Sequence, residues 1–230
     1  MKAQGGTPVS GASYSGEDFS ARDFSGADLS GCNFHDCLFI GSRFRAAEVT
    51  GSTFRNCQFN DSESAQPADF SQADLRETVF DHCNLTVVDF IRCKGYNLVI
   101  ENCQLQGADF SRADFRMPFG NTSELTAFTM RSCNFAYGNL ANTFLVGCTL
   151  RECRLLEACF DYCDLSNADL SGSELHNISA VGVSLTGTDL RGASFNNINP
   201  RDIDLRDAKI YFSQLSMLLD PLGILVEDDP

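Results

Sequence analysis

Long apolar runs are missing from this 230-residue chain: no stretch approaches the 18 uncharged apolar residues of a membrane-spanning helix. The opening, MKAQGGTPVSGASYSG, has no apolar core, so no secretory signal is expected and residues 1–13 read as a flexible tail. Positive charge is scarce. Lys and Arg number 17 against 31 Asp and Glu, a net charge of −14, which disfavours direct binding to nucleic acid or anionic membrane. Histidine occurs only as His35, His82 and His176, and none of the 11 cysteines forms a C-x-x-C pair, so neither zinc nor any other metal is expected. There is no G-x-S-x-G elbow, phosphate-binding Gly-rich loop or H-E-x-x-H. His82 beside Cys83 is the one adjacent Cys–His pair, and sequence neighbours seldom make a catalytic couple. The expectation is a protein without catalytic residues or cofactor. An odd cysteine count without a signal peptide points to free thiols in a reducing cytoplasm.

What the chain does have is a period of five. In ADFSQADLRETVFDHCNL, Phe70, Leu75, Phe80 and Leu85 recur every five positions. An amphipathic helix needs apolar spacings of three and four, and a simple strand needs two. An odd spacing places successive large residues on opposite faces of a strand, so the chain must turn between them. Longer-range matches count the sides. Leu85, Leu105, Leu125, Leu145, Leu165, Leu185 and Leu205 stand twenty apart, as do Phe70, Phe90 and Phe110, continued by Met130, Leu150, Leu170, Leu190 and Ile210. Twenty residues per turn at five per side predicts a square coil, with turns stacked about 4.8 Å apart.

An earlier block, from Tyr14 through Phe19, Phe24 and Leu29 to Phe59, has the same period in another phase. The step from Phe59 to Phe70 marks a first loop at residues 60–67: Asn60, Asp61, Ser62, Glu63, Ser64, Ala65, Gln66 and Pro67. A second is expected at residues 118–129, where Gly120 replaces a large residue: Pro118, Phe119, Gly120, Asn121, Thr122, Ser123, Glu124, Leu125, Thr126, Ala127, Phe128 and Thr129. Its phase is unbroken, and Leu125 also fits the ladder. The repeat spans residues 14–211. Residues 212–230 then offer Phe212, Leu215, Leu218, Leu219 and Leu222 at helical spacing, with Pro221 as a stop signal and an extended GILV after it. Such a segment suits a lid over the last coil or, being so apolar and beside an open strand edge, a dimer interface.

Ten cysteines lie two residues before a core position: Cys32, Cys37, Cys57, Cys83, Cys93, Cys103, Cys133, Cys148, Cys153 and Cys163. Ala68, Ala73 and Ala108 share that slot, and only Cys159 is out of register. The slot takes a small residue that tolerates burial, which free cysteine does.

The segments SGADLSGCNF, ADFSQADL, GADFSRADF and CDLSNADLSGSEL resemble the pentapeptide-repeat family across roughly Tyr14 to Leu215. The resemblance implies an all-β fold, a right-handed, four-sided parallel β-helix. The two interruptions and the tail SQLSMLLDPLGILV are similar to those of the Qnr-type quinolone-resistance proteins, which protect DNA gyrase and topoisomerase IV from fluoroquinolones. Carried over, this makes residues 60–67 and 118–129 topoisomerase-contacting loops and the C-terminal helix the seat of a homodimer.

The family idea of a DNA-mimicking rod has a physical counterpart. Asp69, Asp89, Asp109, Asp169 and Asp189 fall in one register of the twenty-residue repeat, and Asp74, Asp114 and Glu174 in another. Carboxylates stacked at that spacing repel by roughly 1 kcal/mol per pair in water, so a cationic, DNA-binding groove would suit them. Against this, Asp is favoured at turns for its bonds to nearby backbone, and Arg76, Arg116 and Arg191 dilute the field. Two functions stay open: topoisomerase protection by binding, or a structural solenoid with another partner.

Overall fold

The computed structural model describes residues 8–61, 66–120 and 123–226. Ser62, Glu63, Ser64 and Ala65 of the first loop, Asn121 and Thr122 of the second, and residues 1–7 and 227–230 lie outside them.

Each five-residue unit makes one side and one corner. The core residue is followed two positions on by a residue in left-handed conformation, such as Gly31 (φ 67°), Asn56 (φ 52°) or Tyr162 (φ 60°). Glycine and Asn suit this corner. Even β-branched Val87 adopts it (φ 53°), pinned by its N–H on Gln106 O at 2.8 Å. The turn aims the next large residue inward again.

The first face carries the seven-stranded parallel sheet β1 (Ser13–Ser15), β2 (Asn33–His35), β3 (Thr53–Arg55), β4 (Val79–Asp81), β5 (Leu98–Glu101), β8 (Phe128–Arg131) and β9 (Thr149–Arg151). A hairpin of β6 (Arg116–Phe119) and β7 (Ser123–Thr126) interrupts it in sequence, and β10 (Glu174–Leu175) and β11 (Ser194–Phe195) pair on the second face. The remaining sides are single-residue parallel bridges. The second face runs Leu38, Gln58, Asn84, Gln104, Asn134; the third Asp23, Arg43, Asp69, Asp89, Asp109, Asn139; the fourth Glu48, Asp74, Lys94, Asp114, then Phe144, Asp164. Pairing begins at Gly11, whose N–H reaches Ser30 O at 2.8 Å, three residues before Tyr14.

Aromatic rings stack along the axis inside: Phe34, Phe54 and Phe80 at 4.9 Å per step, and Phe44 on Phe70 and Phe90 on Phe110 at 4.3 Å. Offset stacking adds to the apolar burial. The small-residue slot does more than fit. Ser52 Oγ accepts the Cys32 N–H at 3.0 Å and donates to Leu29 O at 2.6 Å, and Ser173 Oγ does the same between Cys153 N–H and Leu150 O. Cys103 Sγ accepts the Cys83 N–H at 3.3 Å. The slot therefore relays hydrogen bonds that the ladder leaves unmade, which explains why Cys, Ser and Thr share it. All ten in-register cysteines are buried and reduced, and Cys159 is half-buried. Burial pushes the Cys148 thiol up to about 12, which keeps it a protonated donor.

The register agrees with the sequence reading at the first interruption and departs from it at the second. Phe54 pairs with Phe80, 26 positions on, and Ile100 with Met130, 30 positions on, so the interruptions add six and ten residues to the twenty-residue turn. Ten residues are two sides. Met130 accordingly stacks over Ile100 rather than Phe110, and Phe110 hydrogen-bonds to Asn139 O. The leucine ladder from Leu105 to Leu145 through Leu125 does not exist; Leu125 lies in the hairpin and is 40% exposed.

Packing under the hairpin is also atypical. Gly95 stands where a large core residue belongs, and a Cβ there would meet the Phe115 ring at 2.8 Å. Phe115 fills the space and stacks on Phe128 at 4.3 Å, while Leu98 is wholly buried in a small-residue slot.

The C-terminal segment is a 3-10 turn at Phe212–Gln214, a helix α1 at Leu215–Leu219 and a second 3-10 turn at Asp220–Leu222, ending at left-handed Gly223 (φ 76°). The α-helix ends two residues before Pro221, which itself sits in the first-turn position of the second 3-10 turn, where its missing N–H costs nothing.

Candidate functional site

Loop 1 leaves the coil after buried Phe59 and returns at Ala68, whose N–H bonds Phe59 O at 3.1 Å. Of its described residues, Asn60 O accepts from Asn84 Nδ2 at 2.9 Å, and Gln66 O passes 3.4 Å from where a Cβ on Gly41 would stand. These residues sit at the corner between the second and third faces, against the neighbouring turns.

The second interruption is a β-hairpin of Arg116–Thr126, at the opposite corner between the fourth and first faces. This corrects the expected limits. Phe128 is 2% exposed and Thr129 pairs with Val99 and Thr149, so both belong to the coil, as does Ala127, which bonds Phe115 O and Asn97 N. Arg116 and Met117 instead belong to the projection. Antiparallel pairing sets two faces, because opposed residues point the same way. Met117 opposite Leu125 and Phe119 opposite Ser123 form one; Arg116 opposite Thr126 and Pro118 opposite Glu124 form the other. On the first, Phe119 is 60% and Leu125 40% exposed and Met117 half-buried; on the second, Arg116, Pro118 and Glu124 are exposed as well. Gly120 (φ 68°) enters the turn.

The five carboxylates expected in one register divide between two opposite faces, because of the two-side insertion. Asp69, Asp89 and Asp109 bridge in succession on the third face; Asp169 and Asp189 lie on the first, leading to Lys209. Glu174 likewise leaves the register of Asp74 and Asp114 and lies on the second face. All five Asp accept the backbone N–H two residues on, at 2.7–3.1 Å, so each serves its turn. Their charges differ in environment. Arg151 approaches Asp169 at 3.6 Å, and Arg191 Nε bonds Asp189 at 2.9 Å, holding that carboxyl below its ordinary range. Asp69, Asp89 and Asp109 have no ion-pair partner among the described residues. The Asp89 carboxyl is raised above its ordinary value, first by burial and then by the flanking charges of Asp69 and Asp109, against the Ile91 N–H. A column of three carboxylates without ion pairs among the described residues thus runs from the return of loop 1 along the third face, with Arg43 on the rung before it and Arg45 within electrostatic reach. Among the described residues, no group of three or more His, Cys, Asp or Glu could hold a metal ion, and no helix is long and apolar enough to cross a membrane.

At the C-terminus, Phe212 is 86% and Leu225 83% exposed, while Leu215, Leu218, Leu219 and Leu222 are half-buried, Leu218 packing with Met217 onto the core. The residue that docks the segment is Gln214. Its Nε2 donates to Leu190 O and Ala193 O, and its Oε1 accepts from Gly192 N and Tyr211 N. Nothing in the apolar spacing points to it.

A four-sided, right-handed β-helix with one loop, one hairpin and a capping helix defines a class of solenoid. The model for pentapeptide repeats matches eight copies, at residues 11–61, 68–94, 130–167, 150–187 and 184–216, and its two gaps take in loop 1 and the hairpin. The chain belongs to the pentapeptide-repeat family, and within it is of the Qnr type. It is 31% identical over 111 residues to the quinolone resistance pentapeptide repeat protein QnrB96 of Scandinavium goeteborgense, 48% of this chain and 52% of that one. It is 30% identical over 128 residues to the pentapeptide repeat protein QnrB4 of Escherichia coli, 49% of this chain and 60% of that one. The matches thus span between half and three fifths of these curated relatives. Full-length QnrB1, a plasmid-mediated fluoroquinolone resistance protein, superposes with a TM-score of 0.87 at 28% identity, covering 92% of this chain and all of that one.

Proposed function

We propose that this chain binds the type II topoisomerases DNA gyrase and topoisomerase IV as a mimic of duplex DNA, protects them from fluoroquinolones and so confers quinolone resistance. It acts in the cytoplasm as a homodimer joined through the C-terminal segment. The observation that carries the reading is the unpaired Asp69–Asp89–Asp109 column on a rod that also projects an apolar hairpin face. Rungs at about 4.8 Å present a regular line of charge, sparser than the roughly 3.4 Å per phosphate of one DNA strand. A groove of Lys and Arg that normally holds DNA matches such a column, and opposite fields speed encounter. The likeness to QnrB1 over nearly the whole chain supports the same reading.

The structural-solenoid alternative draws support from the turn bonds of these same Asp residues, which any coil would need. It gives no reason for the open Phe119 face. A gyrase supercoiling assay with ciprofloxacin, with and without this protein, decides between them. Restored supercoiling is expected; inhibition unchanged at micromolar protein leaves only the solenoid.

A further inference from the structure

The fourth face is interrupted where the hairpin leaves it. Its bridges run from Lys94 to Asp114 and resume from Phe144 to Asp164, and none joins Asp114 to Phe144 among the described residues. The hairpin root is therefore short of the ladder that holds every other turn, and a two-stranded ribbon alone is marginal in water. Its backbone ties are Ala127 N–H on Phe115 O at 3.2 Å and Asn97 N–H on Ala127 O at 2.7 Å, both on the returning side.

Arg116 spans the gap. Its Nε bonds Asp114 Oδ1 at 2.9 Å, its Nη1 bonds Glu124 Oε2 at 3.0 Å, and its guanidinium carbon lies 5.7 Å from the centre of the Phe144 ring. One side chain thus joins the turn below, the returning strand and the turn above. Phe144 has no reason of its own to be there: the outward position on this face is otherwise Asp74, Lys94, Asp114, Asp164 or Ser184, and Phe144 is 41% exposed. A planar guanidinium both forks onto carboxylates and stacks on a ring, which an ammonium does not.

We propose that Arg116, laid on Phe144, is a positioning residue that sets which face of the hairpin turns away from the rod. Arg116 ties the ribbon to Asp114 of the coil and Met117 is half-buried beside Arg76 and Lys94, so Phe119 and Leu125 are offered outward to an apolar surface of the partner protein. Rolled about its root, the same ribbon would present its charged face instead. The proposal rests on the hairpin being a partner-contacting element.

The test is hydrogen exchange of residues 116–126, followed by mass spectrometry, in the wild type, Arg116→Gln, Arg116→Lys, Phe144→Ser and the Gln/Ser double variant. Ser is chosen because Ser184 holds the same position in the coil. Exchange in the hairpin should quicken about five- to tenfold in Arg116→Gln and Phe144→Ser, with coil amides and melting temperature unchanged. The double variant should be no worse than Arg116→Gln, since both changes remove one contact. Arg116→Lys should fall between, keeping charge without the plane. The protein concentration giving half-maximal gyrase protection should rise by the same factor. Unchanged exchange in Phe144→Ser, or an additive double variant, overturns the latch. Faster exchange with an unmoved protection midpoint overturns its orienting role. A wild type that gives no protection sinks the topoisomerase reading instead, while the exchange data still decide the latch.

Discussion

Asp69 and Asp89 are bridged neighbours on consecutive turns, and neither carboxylate is ion-paired among the described residues, although Arg43 is the rung before Asp69 and Arg45 acts on Asp89 from a distance. Because burial and the flanking charges raise the folded pKa of Asp89 above 3.8, its ionised form opposes folding at neutral pH, and the penalty fades as pH falls through the folded value. Asp89→Asn, whose side-chain oxygen still accepts the Ile91 N–H, should therefore raise Tm at pH 7 by about 1–4 °C. The gain over wild type should shrink toward zero as pH approaches the ordinary carboxyl range. The triple Asn variant at Asp69, Asp89 and Asp109 should keep the fold yet bind gyrase more slowly, with a flatter salt dependence. Stopped-flow association at several salt concentrations measures this; an unchanged slope would take the column out of recognition.

Gly95→Ala should destabilise the protein by about 1–3 kcal/mol, because the new methyl meets a Phe115 ring that is itself fully buried. Thermal melting reads the cost. Faster exchange at the hairpin root is expected with it, Phe115 being the residue to which Ala127 is tied.

The slot chemistry predicts an inversion of the usual conservative choice. Cys103→Ala should cost about 1–3 kcal/mol by stranding the Cys83 N–H, whereas Cys103→Ser should be nearly neutral, as Ser52 and Ser173 fill the same role. Native thiol titration should label Cys159 first, the one cysteine that is not buried.

How far the fold is legible in the sequence depends on the length of each insertion. Loop 1 adds six residues, which is not a multiple of five, so the phase jump between Phe59 and Phe70 exposes it. The hairpin adds ten, two whole sides, so the period survives while every later residue moves to the opposite face. Phase alone is blind to that, and the acidic register of Asp109 and Asp169 fails for this reason. Composition held a better clue. Phe144 beside Leu145 puts an aromatic in an outward position, and Gly95 leaves an inward one empty; both flank the hairpin. Gln214 escaped because its role rests on carbonyls of Leu190 and Ala193, distant in sequence.

Gln214 anchors the C-terminal segment through four bonds to the last turn and its own root. Gln214→Ala should loosen that segment by taking away the donor to Ala193 O, while Leu190 O keeps the Ala193 N–H, and a chain ending at Ile210 should lose it outright. Light scattering should then report monomer or aggregate where the full chain is a dimer. A clean dimer from the shortened chain would place the interface elsewhere.

Removing the hairpin is the sharpest test of how the rod acts. The stacked turns close without it, because Phe115 and Ala127 are already hydrogen-bonded at its root and Phe128 stacks on Phe115. Joining Phe115 to Ala127 through a two-residue glycine turn should thus leave the β-sheet circular dichroism signal intact. Protection of gyrase should be abolished, since the apolar side chains of the ribbon, Met117, Phe119 and Leu125, go with it. Loss of residues 60–67 should weaken protection less, that loop adding six residues where the hairpin adds ten. The charged column is untouched in both variants, so association through it should persist even where protection is lost. Full protection by the hairpin-less rod would mean that the third face alone suffices, and that the projecting ribbon serves some other partner.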